Sequence, residues 1–216
     1  MILVVLGTLF ATCLLAANII AVKLVSIGSW VVPAGIIAYP LTFLFTDVIS
    51  ELYGRKIASR VVWVGFTANI LMLMLVFGGR LLPPAPFWED QLAYESILGM
   101  DRYGRIVLAS MIAYLVSQHH DVFAFHFWRR KTQTRFLWLR NNASTMVSQA
   151  LDTSLFITVA FWGVVSAEIL RNMLLTQYVI KLAIAAADTP FCYLLVALLK
   201  DKVELLPIDT EVRVGD

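Results

Sequence analysis

One uninterrupted apolar segment near the start of the chain, from Ile2 to Val22, reads ILVVLGTLFATCLLAANIIAV and decides the class of fold. It has 21 residues and no charged side chain. An α-helix needs about 20 apolar residues to cross the hydrocarbon core of a bilayer. No basic residue precedes the segment, and it is longer than the core of a signal peptide. We therefore expect a retained transmembrane helix rather than a cleaved leader.

Apolar residues dominate the rest of the chain as well. Of its 216 residues, 60% are hydrophobic and 15% are charged, whereas soluble domains average about 45–50% and about 25%. Five further runs are long enough to cross a bilayer: 31–49, 61–77, 106–127, 142–165 and 178–199. The sequence therefore predicts an all-α polytopic membrane protein, with residues 1–200 forming a bundle of six transmembrane helices. Residues 201–216 form a short charged tail, and no length remains for an appended soluble enzyme.

Lysine and arginine residues are distributed unevenly between the two sides of this six-helix topology. The side that holds both termini carries 11 of the 17 basic residues and the opposite side carries five, while Lys181 lies inside the last run. Loops rich in Lys and Arg stay in the cytoplasm, so we expect both termini and the tail to be cytoplasmic. The net charge of +2 is too small to favour a nucleic-acid partner.

Polar residues inside the predicted spans are the candidates for function. A charged side chain near the middle of a bilayer costs about 2.5–3.5 kcal/mol, so each one needs a partner or water. The fifth run is the most informative, because its polar residues recur at offsets of three and four and share one helical face. They are Asn141, Thr145, Ser148 and Asp152, with Gln149 beside them. For Ser144 and Thr145 the alternative is a helix contact through hydroxyl groups, worth about 0.6 kcal/mol per bond.

Two other groups of charged residues lie in or beside apolar runs. Lys181 and Asp188 are two helical turns apart on one face of the sixth run. An ion pair of Lys181 with Asp152 or Asp121 that only neutralises charge is the alternative to a role in transport. At the cytoplasmic end of the second run, charged residues follow at steps of four: Asp47, Glu51 and Arg55. Acids are disfavoured at a helix carboxyl terminus, so we interpret this trio as a gating or cytoplasmic-end motif, with solvated boundary charges as the alternative.

The sequence does not indicate metal or nucleophile chemistry. His119, His120 and His126 lack the spacing of a zinc site such as H-E-x-x-H, and we interpret them as histidines at a membrane boundary. Cys13 and Cys192 lie in apolar runs and are best explained as buried apolar side chains. The sequence contains neither a G-x-S-x-G nucleophile motif nor a Walker motif. We expect a protein that is not an enzyme and holds no cofactor or metal.

Three stretches of the sequence resemble one transporter family. They are TDVISELYGRK at 46–56, the segment 113–121, and WLRNNAST at 138–145, which leads to Gln149, Asp152 and Thr153. Lys181 in the last run and the pair Thr189-Pro190 match the same family. On these motifs the chain is similar, from about residue 8 to residue 200, to the queuosine precursor transporter family, also called the vitamin uptake transporter-like family.

This resemblance implies a six-span protein of the cell inner membrane. Its expected cargo is 7-cyano-7-deazaguanine or 7-aminomethyl-7-deazaguanine, the bases from which queuosine in tRNA is made. The expected partners are this small molecule and the lipid bilayer, with no nucleic acid. The alternative is a substrate-capturing membrane subunit that needs a separate energising module. The sequence leaves open the preferred base, the energy source and whether the chain forms a homo-oligomer.

The polar face of the fifth run suits such a base. A 7-deazaguanine keeps the Watson–Crick edge of guanine, and an ionised Asp can accept from its two adjacent N–H donors at once. Asp152 or Asp121 is therefore the expected clamp, and an amide of Gln149 or Asn141 can donate to O6. An aromatic ring is expected to stack on the base for about 1–3 kcal/mol. The fifth run ends in three such rings: Phe156, Phe161 and Trp162. The full set of candidate substrate-binding residues is Asp152, Gln149, Asn141, Thr145, Asp121, Lys181, Ser144 and Arg140.

Overall fold

The computed structural model describes residues 1–21, 23–27, 30–98, 100–132, 136–163 and 165–203. The helices are α1 (Ile2–Ile20), α2 (Tyr39–Leu81), α3 (Gln91–Leu98), α4 (Met100–Lys131), α5 (Leu137–Phe161) and α6 (Ala167–Leu199). A short 3₁₀ turn at Ala34–Ile37 precedes α2, and another at Lys200–Lys202 follows α6. The chain is an all-α polytopic membrane protein, as predicted. Most of the predicted tail, 204–216, lies outside the described residues.

A short hairpin connects α1 to α2, which the sequence analysis did not predict. Strands β1 (Leu24–Ile27) and β2 (Trp30–Pro33) pair antiparallel. β-branched and aromatic residues, which favour strands, make up much of both. The second span was expected to begin at residue 31, but Pro33 ends β2 instead, and Pro40 occupies the first turn of α2, where a missing backbone N–H costs nothing.

Helix α2 consists of two helical segments joined at Gly54. This residue has φ +79° and ψ 173°, a region that is essentially restricted to glycine. Contacts with α1 show that the chain reverses direction there. Gly35, before the first segment, packs against Ala17, and Asn69 of the second segment accepts a hydrogen bond of 2.7 Å from Asn18. Because both ends of this stretch meet the same turn of α1, the two segments form an antiparallel helical hairpin.

Helix α4 runs alongside this hairpin. Near its start, Ser110 donates to Asn18, and near its end, Arg129 donates to the carbonyl of Ser50, close to Gly54. Helix α4 therefore runs from the β-hairpin end of the bundle to the Gly54 end.

Helices α5 and α6 are antiparallel to each other. Asn142 near the start of α5 donates to Thr189 near the end of α6, and Lys181 pairs with Asp152 farther along. With α2 counted as two segments, the described part of the chain contains six long helical segments, which alternate in direction. The start of α1 and the end of α6 consequently lie at the Gly54 end.

An apolar core joins α1, α2 and α4. Phe10 and Leu14 pack around Gly65, where a Cβ would lie 2.6 Å from Phe10 and 2.7 Å from the Tyr114 hydroxyl. That hydroxyl donates to the carbonyl of Val62 at 2.8 Å. Only a residue without a side chain lets the three helices approach this closely.

The outer surface of the bundle is apolar and its interior is partly polar. By length and composition, three described helical stretches can cross a membrane: Ile2–Ile20, Ala34–Leu81 and Ala167–Lys202. Large apolar side chains such as Val64, Met74 and Leu75 are exposed on them, as suits a surface that contacts lipid. Helices α4 and α5 carry the polar interior.

Candidate functional site

The polar face of α5 predicted from the sequence lies in the interior of the bundle. Asn141, Thr145, Ser148 and Asp152 each expose 4% of their surface or less. Polar residues of α2, α4 and α6 face them, and we call this buried set the polar column. It contains three clusters, which follow one another from the β-hairpin end to the Gly54 end.

The first cluster surrounds the carboxylate of Asp152. One oxygen accepts from the Tyr39 hydroxyl at 2.7 Å and from Ser117 at 3.3 Å, and the other accepts from Nζ of Lys181 at 2.5 Å. The Lys181 ammonium also lies 5.2 Å from the centre of the Tyr39 ring. Helices α2, α4 and α6 thus each donate a hydrogen bond to one carboxylate of α5. The bond from the Lys181 ammonium is the strongest of the three, because hydrogen bonds between charged groups are stronger than those from neutral donors. The sequence named Lys181 as a partner of Asp152 or Asp121, and the structure brings it to Asp152.

Beside this cluster, Gln118 ties α4 to α2. Its amide nitrogen donates to Thr42 and its amide oxygen accepts from Thr46, each at 3.1 Å. Sequence reasoning did not single out Tyr39, Thr42 or Thr46. Their offsets of three and four were a signal that they share one face of a helix.

The second cluster contains two carboxyl groups that face each other, Asp47 of α2 and Asp121 of α4. Both are almost completely buried. Thr145 donates to Asp47 at 3.4 Å. The hydroxyls of Ser144 and Ser148 adjoin Asp121. Neither carboxyl forms an ion pair with a described residue.

The third cluster lies at the Gly54 end. Arg140 of α5 pairs with Glu51 of α2 at 2.5 Å and lies over the ring of Phe125 at 5.6 Å. Arg140 was predicted to bind substrate, but in the structure its guanidinium contacts Glu51. Arg55, the third member of the predicted gating trio, points outward over Phe123.

A narrow cleft opens between α2, α5 and α6. Its described lining residues are Pro40, Phe43, Leu44, Asp47, Asn141, Thr145, Gln149, Ala185 and Asp188. It has room for about one water molecule, so a larger ligand enters only if the helices separate. Asp152 lies one turn of α5 beyond Gln149, outside this set of lining residues. Asp121 lies behind Asp47, outside this set of lining residues.

Two amide oxygens of the cleft have no hydrogen-bond partner among the described residues, Oδ1 of Asn141 and Oε1 of Gln149. Buried polar groups are nearly always paired, so these amides are candidates for contacts with a ligand. The aromatic ring of the cleft is Phe43, whereas Trp162 at the end of α5 is 66% exposed. Phe156, Phe161 and Trp162, the rings suggested by the sequence, are not among the described residues that line the cleft.

Two of the three histidines make local hydrogen-bonding contacts through Nδ1, whereas Nε2 of His119 and of His126 has no partner among the described residues. Nδ1 of His120 lies 3.0 Å from Oγ of Ser148, and Nδ1 of His119 lies 2.9 Å from the carbonyl of Leu115. Within the ranges that the structure describes, no group of three His, Cys, Asp or Glu side chains is placed to hold a metal ion.

Comparison with known proteins gives the family of this chain. A family model described as "Putative vitamin uptake transporter" matches residues 33–195, which include the whole polar column. The chain belongs to this vitamin uptake transporter family. The resemblance stated from the sequence motifs is thereby confirmed.

Three curated relatives carry related names. A "Probable queuosine precursor transporter" of Bacillus subtilis (strain 168) is 36% identical over 85% of this chain and 79% of its own length. The "Queuosine precursor transporter" of Escherichia coli (strain K12) is 30% identical over 70% of this chain and 66% of its own. A "Probable queuosine precursor transporter" of Haemophilus influenzae is 26% identical over 59% and 51%. No solved structure gives a significant match.

Proposed function

We propose that this family member imports a queuosine precursor, a 7-deazaguanine base, across the cell inner membrane to supply tRNA modification. The observation that carries the proposal is the cleft lined by Asn141 and Gln149, with the buried carboxylate of Asp152 one helical turn beyond Gln149 on α5. A carboxylate matches the two adjacent N–H donors of a guanine edge, and an amide N–H can donate to its O6. The names of the three relatives support the same cargo.

In the proposed complex, Asp152 is the clamp for the base. A carboxylate has about four acceptor positions, and three are in use, by Tyr39, Ser117 and Lys181. Release of the longest bond, from Ser117 at 3.3 Å, leaves two positions for N1–H and the exocyclic amine. The Lys181 contact can therefore persist and keep Asp152 an acceptor while the base is bound.

Other groups complete the proposed site. The amide of Gln149, one helical turn from Asp152, pairs with O6 or a remaining N–H of the base, and Phe43 covers its face. Asn141 and Thr145 line the cleft farther toward the Gly54 end, and Ser144 is buried beside them next to Asp121. Because the cleft is narrow, transport requires α5 and α6 to move away from the first segment of α2.

Purified protein in liposomes that contain no other protein tests this function. We expect saturable uptake of labelled 7-cyano-7-deazaguanine, competed by unlabelled 7-aminomethyl-7-deazaguanine. Adenine is the control competitor, because its ring N1 is an acceptor and it cannot offer two adjacent donors to Asp152. Binding without uptake would instead favour a substrate-capturing subunit that needs an energising module. Absence of both binding and uptake would refute the proposal.

We further propose that both termini face the cytoplasm. The Gly54 end carries most of the basic residues, including Arg129, Arg130 and Lys131 at the end of α4, and such loops are retained inside. Reporter fusions at Asp216 and in the loop near Trp88 are expected to give opposite signals, cytoplasmic at Asp216 and external near Trp88. Matching signals, or the reverse assignment, would contradict this orientation.

A further inference from the structure

We propose that Asp47 and Asp121 form a proton-binding carboxyl pair that couples import of the base to inward flow of protons. This inference rests on the proposed function and adds its energy source. In the proposed cycle, one proton from the external side binds between the two carboxyl groups. It is released to the cytoplasm in the same transport cycle that releases the base.

The acidic side chains along the polar column are only partly neutralised by cations. Four acidic side chains lie along the column, and two of them are neutralised, Asp152 by Lys181 and Glu51 by Arg140. Asp47 and Asp121 have no such partner in the described part of the chain, and they face each other. Two ionised carboxylates at close range inside a membrane repel each other and are poorly solvated. One shared proton removes a charge and converts the repulsion into a hydrogen bond, as in other carboxyl pairs.

Three of the four carboxyl oxygens of this pair lack a hydrogen-bond donor of ordinary geometry among the described residues. Both oxygens of Asp121 and Oδ1 of Asp47 form no hydrogen bond of ordinary geometry with a described residue, although the hydroxyls of Ser144 and Ser148 adjoin Asp121, and the two side chains expose 0% and 1% of their surface. A proton supplies the missing donor for facing acceptors. Asn141 and Gln149, whose buried amide oxygens are also unpartnered among the described residues, line the same cleft as Asp47. The cleft and the carboxyl pair therefore share one wall.

The other charged and titratable groups around the pair do not neutralise it. They are Glu51 of α2, His120 of α4, Arg140 of α5, and Asp188 and Cys192 of α6. Arg140 is bound by Glu51, and Nδ1 of His120 contacts Ser148. Asp188 adds a further acid on the cleft side. A proton is thus the simplest source of positive charge at this depth.

The position of Asp47 links proton to cargo. Its carboxyl lines the cleft with Asn141 and Thr145, and on its other side it faces Asp121. A bound base alters the surroundings of Asp47, and protonation of Asp47 alters the wall that the base contacts. By thermodynamic linkage, each ligand then changes the affinity of the other by the same factor.

Proteoliposomes with an imposed pH gradient, acidic outside, test this coupling. For one proton per neutral base, wild-type protein is expected to accumulate labelled 7-cyano-7-deazaguanine about tenfold for each pH unit. A protonophore should abolish the accumulation but not the exchange of labelled for unlabelled base. A lumenal pH dye should report proton entry when base is added outside without any gradient. Sodium-driven accumulation with no proton entry would overturn the proposal.

The decisive variant is Asp121→Asn. The sequence suggested Asp121 as an alternative clamp for the base, but Asp121 does not line the cleft, and in the proposed complex the clamp is Asp152. It is expected to retain exchange of base and to lose accumulation and base-driven proton entry. Ser50→Ala is the matched control, since Ser50 is a buried residue of α2 with an unpartnered hydroxyl but no ionisable proton, and it should accumulate base as wild type does. If Asp121→Asn accumulates base normally, the pair is not the coupling site.

For the wild-type protein, exchange of base without proton entry would refute this inference alone. Absence of exchange would refute the proposed transport function on which the inference rests. If Asp121→Asn does not fold, the wild-type proton flux still decides whether import is coupled to protons.

Discussion

Replacement of Asp152 by asparagine is expected to abolish uptake of the base and to destabilise the folded protein by about 3–5 kcal/mol. Two physical effects combine in this variant. The amide can no longer accept two donors from the guanine edge as a carboxylate does. The ammonium of Lys181 also loses its partner at a site where only 9% of the residue is exposed. An unpaired charge left in the interior costs more than the pair itself contributes.

A double variant separates the two effects. In Asp152→Asn with Lys181→Met, both charges are gone, and replacing a buried pair by neutral side chains is often close to neutral for stability. We expect thermal unfolding in detergent to return most of the way to wild type, while uptake remains absent. Recovery of uptake in the double variant would show that Asp152 serves only to neutralise Lys181.

Thr153→Val is the matched control for these variants. Thr153 is the next residue of α5, 1% exposed, and its hydroxyl has no hydrogen-bond partner in the described ranges. The substitution removes a buried polar atom without changing charge, so uptake should be close to wild type. Loss of uptake in this control would indicate that α5 tolerates no change there, whatever the role of Asp152.

The sequence predicted the polar face of α5 because helical periodicity depends only on local spacing. The same pattern could not name the partners of that face. Asp152 bonds Tyr39, which is 113 positions away along the chain, and Ser117, which is 35 away. Such pairings are set by how the helices pack. Only Lys181 could be suggested beforehand, because a buried ammonium requires an acid nearby.

The helical hairpin within α2 was also predicted only in part. Two apolar runs separated by charged residues predicted two spans, and the structure has both segments. The sharp reversal between them depends on the backbone of one residue, Gly54, which sequence alone did not distinguish from other glycines. The β-hairpin before α2 was missed because its short apolar strands are indistinguishable by composition from the beginning of a span.

The second large effect is expected at the Gly54 end, where Arg140→Met should lower the free energy of unfolding by about 3 kcal/mol. This substitution leaves Glu51 without its cation and removes one of the polar contacts between α5 and α2. The double variant Arg140→Met with Glu51→Met should recover much of the loss, because no unpaired charge remains. If Arg140 instead binds the substrate, as predicted from the sequence, Arg140→Met would lose binding while unfolding at the wild-type temperature. Thermal unfolding and base binding measured on the same detergent-solubilised samples distinguish the two roles. We expect the stability to fall and the affinity of the protein that remains folded to stay within the wild-type range, because the guanidinium contacts Glu51 and the ring of Phe125 rather than the cleft.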